Sequence, residues 1–101
     1  MRPILPPDLD LLTRVLLPLP VEKRAGAISI MLNAADLADR YRKRTGRLHP
    51  VYGDGSLLSV ALQQGPLTVG PFADAGYCAA LGNVLDGIAD WRCRMQTVRN
   101  L

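Results

Sequence analysis

The densest chemistry in this chain lies in the stretch Asp39-Arg40-Tyr41-Arg42-Lys43-Arg44-Thr45-Gly46-Arg47-Leu48-His49-Pro50-Val51-Tyr52-Gly53-Asp54-Gly55-Ser56-Leu57. Arg40, Arg42, Lys43, Arg44 and Arg47 place five cations in eight residues without an intervening acid. The run closes a helical segment and leads through a turn into the start of another. Free backbone N–H groups at a helix start bind anions, and glycines allow close approach. One reading is therefore an anion site in which Arg44, Arg47 and His49, with the amides around Gly55 and Ser56, hold a phosphate or carboxylate. A second uses Arg40, Tyr41, Arg42 and Lys43 to contact nucleic-acid phosphates and stack a base.

The same residues have a structural reading, and it takes precedence because such capping is common. Cations stabilise a helix C-terminus, Asp36–Arg40 and Asp39–Lys43 have i,i+4 spacing, and Asp54 or Ser56 can cap the next helix. Gly53-x-Gly55 lacks the preceding strand, third glycine and Gly-Lys-Ser/Thr ending of a nucleotide loop. His49 has no local partner for general-base work. Arg92 and Arg94 flank Cys93 and favour its thiolate, although an ordinary surface thiol is the simpler reading.

Ten Arg and two Lys against eight Asp and one Glu give a net charge of +3 over 101 residues. This mild basicity, with Arg92, Arg94 and Arg99 outnumbered by Asp54, Asp74, Asp86 and Asp90 in the second half, argues against specific nucleic-acid binding. One His and two Cys leave multi-ligand zinc sites, Ser/His/Asp triads and disulfide scaffolds without their parts. No metal, cofactor or catalytic residue is expected. The apolar fraction of 49% is enough for one small folded domain across residues 1–101. Prolines and aspartates break the first ten residues, and no run of about 20 apolar residues exists. A cytoplasmic location follows as the default.

Helical periodicity supplies the elements that position these groups. Pro6-Pro7-Asp8 marks a helix start, and Leu17-Pro18-Leu19-Pro20 ends that helix. A long second helix is expected from about Pro20 to Thr45, with Gly46 as its left-handed cap. A short third runs from about Ser56 to Gln64 and stops at Gly65-Pro66. Leu67 to Pro71 reads as an extended linker over the core. Asp74 caps a last helix reaching about Gln96, whose stripe of Tyr77, Leu81, Val84, Leu85, Ile88, Trp91 and Met95 spans about 120°. Cys78 and Cys93 on that helix lie roughly 22 Å apart, too far for a bridge. The fold class is all-α: an irregular four-helix bundle with two long antiparallel helices and two short ones.

The second helix carries the strongest functional signal. Val21, Ala27, Ile28, Ile30, Met31, Leu32, Ala34, Ala35, Leu37 and Ala38 cover an arc of roughly 220°, too wide for one neighbour. Either this helix is central, or its extra face meets a second copy. A non-catalytic protein–protein interaction module, acting as a homodimer, is the expected function. The opening Arg2-Pro3-Ile4-Leu5 and the segment Tyr41-Arg42-Lys43-Arg44…Gly46-Arg47…His49-Pro50…Gly53-Asp54-Gly55-Ser56-Leu57 resemble a family of small uncharacterised alphaproteobacterial proteins. The resemblance extends over most of the chain and implies bacterial origin, with no activity, cofactor or partner attached.

Overall fold

The computed structural model describes residues 2–63 and 74–99. They form α1 (Pro6–Leu16), α2 (Val21–Thr45), α3 (Leu57–Leu62) and α4 (Ala75–Arg99). No strand occurs among the described residues, whose sole bridge pairs His49 with Gly53. The protein is an all-α small bundle. No helix among the described residues is long and apolar enough to cross a membrane.

Local chemistry explains each boundary. Pro6 and Pro7 open α1, and the Asp8 carboxylate accepts from the Leu5 amide at 2.7 Å. Pro20 stands just before α2, and Gly46 ends that helix at φ 73°, donating its N–H to the Arg42 carbonyl at 2.7 Å. Ser56 caps α3 by accepting the Ser59 amide at 3.1 Å. Asp74 starts α4: its carbonyl accepts from the Cys78 amide and its side chain from the Gly76 amide. The expected Gly65-Pro66 stop and Leu67–Pro71 linker lie outside the described residues.

Leu12, Leu16, Ile28, Met31, Leu32, Ala35, Leu57, Val60, Ala61, Val84 and Trp91 form the core. α1 packs against α3 and α4, and α2 packs against the same two helices. Consecutive α1 and α2 make no comparable pairing.

Two expectations need correction. The long helices α2 and α4 are not antiparallel. Arg24 bonds Asn83, Ile28 meets Gly87 and Asn33 bonds Trp91, so both numberings rise together and the helices run the same way. The reason is that α3, packed against both α1 and α2, comes between them in the chain, so α4 does not follow α2 as a direct hairpin. Tyr77 accordingly sits beside Asp10 of α1. The α4 stripe also shifts: Ala80 is buried and Leu85 is 49% exposed, because the contacts with α2 run along Asn83, Gly87 and Trp91 and Leu85 lies off that line.

Candidate functional site

The α2 terminus and the following turn are a tightly bonded structural unit. Arg40 pairs with Asp36 at 3.3 Å and Lys43 with Asp39 at 2.9 Å, the i,i+4 arrangement expected of a helix end. Arg42, Arg44 and Arg47 are exposed, and the Arg44 guanidinium lies 5.9 Å from the centre of the Tyr41 ring. The Tyr41 ring meets His49 edge-on at 5.1 Å, and His49 stacks on Tyr52 at 5.0 Å. His49 Nδ1 accepts the Val51 and Tyr52 amides at 3.1 and 3.0 Å, closing a turn whose ends pair His49 with Gly53. This fixes Nδ1 as an acceptor and gives His49 a turn-forming role.

Gly55 and Ser56 are also committed. Gly55 has φ 93°, and a Cβ there would lie 2.7 Å from the Asp39 Cα. Glycine is therefore required for two reasons: left-handed backbone and direct apposition to α2. The Asp54 carboxylate accepts the Ser56 amide and both the Ser56 and Ser59 hydroxyls, while its second oxygen pairs with Arg2 at 3.0 Å. Bonds from the Ser56 hydroxyl, the Ser59 hydroxyl and the Ser56 amide hold the Asp54 carboxyl down to about 2. Asp8 accepts the Leu58 amide at 2.9 Å. The start of α3 already holds two of the protein's own carboxylates, and its six residues offer no further turn for an external anion. Arg44 and Arg47 are exposed, and among the described residues Arg2 is the cation that meets this cluster.

A different surface stands open. Val15 and Leu19 on one side, Tyr52 and Val60 on the other, and Ala27, Ile30, Ala34 and Leu37 along α2 enclose an apolar groove of about 450 Å³. Ile30 is 71% exposed and Leu37 45%, whereas Ile28, Leu32 and Ala35 on the far side of the helix are fully buried. The wide apolar arc thus divides into a core face and a solvent face. Asn33 sits at the groove's edge and accepts the Trp91 indole N–H at 2.9 Å, tying α2 to α4.

Arg24 was not apparent as a key residue from the sequence. Only 7% exposed, it donates to the carbonyls of Leu16, Leu17 and Leu19 and to Asn83 Oδ1. It bonds carbonyls at and just beyond the end of α1 and bridges them to α4. A lone arginine in an early α2 turn gives no local cue to this contact 59 residues away.

A family model described as a domain of unknown function (DUF7742) matches residues 2–88. No curated protein and no solved structure matches the chain.

Proposed function

The chain belongs to this DUF7742 family, whose description assigns no activity, and we propose from surface chemistry that it is a non-catalytic interaction module acting as a homodimer. The observation that carries this reading is the open strip of α2 and its groove, where Ile30 and Leu37 face solvent. Contiguous apolar surface rimmed by polar groups is characteristic of interfaces. The positions of His49 and Asp54 support the non-catalytic part, since their acceptor atoms serve the turn and the α3 cap. A reducing cytoplasm suits the exposed thiols of Cys78 and Cys93. Size-exclusion chromatography with light scattering tests the reading. A mass near 22 kDa, twice 11.0 kDa, supports it, and a monomer at high micromolar concentration overturns it.

The second reading is a phosphate- or nucleic-acid-binding surface at the α2 end. Its support is the Tyr41–His49–Tyr52 aromatic row beside exposed Arg42, Arg44 and Arg47. Anisotropy of a labelled single-stranded oligonucleotide across a salt series discriminates. Phosphate contacts give a steep salt slope, and absence of binding at about 50 mM salt rejects it.

A further inference from the structure

We propose that the two copies associate antiparallel through α2, with a two-fold axis level with Leu32. This rests on the homodimer reading and specifies its geometry. Ala27, Ile30, Ala34 and Leu37 follow 3-4-3 spacing, the a/d pattern of a coiled-coil seam, and line the open groove together. Ile30 and Leu37 are exposed, while Ala27 and Ala34 are half-buried beside the core.

The seam is self-complementary in one direction. In an antiparallel pair centred on Leu32, Ala27 lies opposite the partner's Leu37, and Ile30 opposite the partner's Ala34. Every level then sets one small side chain against one large one. A parallel pair instead sets alanine against alanine and leucine against leucine, alternating gaps with bulk. Such balance is a property of a surface that meets itself.

Charge selects the same direction. The cations Arg40, Arg42, Lys43, Arg44 and Arg47 crowd one end of α2; Arg40 and Lys43 pair with carboxylates, and Arg42, Arg44 and Arg47 are exposed. Parallel association would bring two such clusters to about 10 Å, within a Debye length. Antiparallel association separates the two copies of Arg44 by 24 helical residues, roughly 36 Å.

The test places nitroxide labels on Arg44→Cys in a Cys78→Ser, Cys93→Ser background, with dimer mass checked by light scattering and helicity by circular dichroism. Arg44 is exposed, so the label leaves the core untouched. A dimer with an interlabel distance of roughly 30–45 Å, allowing for the label arms, supports the proposal. A dimer with any distance outside that window overturns the antiparallel geometry and leaves the homodimer reading standing. A folded monomer overturns both. In the parent sequence, Leu37→Glu should give a helical monomer, and a dimer that survives it also refutes this seam.

Discussion

Two side chains show how environment sets chemistry one residue at a time. Tyr77 is buried on α4, and burial, followed by its hydrogen bond to Asp10, pushes its phenol up to about 12. A raised value means the protonated phenol stabilises the fold. That stability is fully present below the ordinary tyrosine value near 10 and lost as pH rises through 12, on the order of 2 kcal/mol. Ultraviolet titration should show one tyrosine ionising about two pH units late, and Tyr77→Phe should remove both that transition and its share of alkaline unfolding. Asp54 has the opposite sign. Its depressed carboxyl contributes stability above about pH 4 that is lost as pH falls toward 2. Because its side chain is 37% exposed, Asp54→Asn should cost only about 1 kcal/mol at pH 7 after solvent screening. In urea titrations the difference from the parent should close near pH 2.

Glycine separates contact from propensity among the helices. Gly82 and Gly87 both lie inside α4, yet a Cβ at Gly82 meets nothing within 4 Å, whereas one at Gly87 would lie 2.7 Å from Ile28 Cγ2. Gly82→Ala should stabilise the protein by about 0.5–1 kcal/mol, and Gly87→Ala should destabilise it by roughly 1–3 kcal/mol, read as shifts in urea midpoint. The starts and stops of the helices were legible because they are local: Pro6-Pro7, Gly46, Ser56 and Asp74 act within one turn. The α2–α4 direction was not, since it depends on pairs such as Arg24–Asn83 that no local spacing reveals. The Gly55-Ser56 segment was legible as a cap. That Asp8, fifty residues away in sequence, fills the start of α3 was not.

Across the whole molecule, α1 and α2 each pack on α3 and α4 but scarcely on one another, and the groove opens between them. A bundle arranged in this way encloses one face of its longest early helix and presents the other. The wide apolar arc was compatible with a central helix as well as with an outer apolar face, and it did not say which residues fell on which side. If the outer face is closed by a second copy, association and folding are linked. Raising protein concentration tenfold should then lift Tm by about 3 °C, since the dimer gains about 1.4 kcal/mol by mass action. A scanning-calorimetry midpoint independent of concentration would count against it.

The Asp8 carboxylate ties two distant beginnings into one event. It receives the Leu5 amide with one oxygen and the Leu58 amide with the other, so when either segment frays, a carboxylate still held by the other loses one of its two donors. In hydrogen–deuterium exchange the two amides should open together, at a common rate, as a single knot rather than as two loose ends.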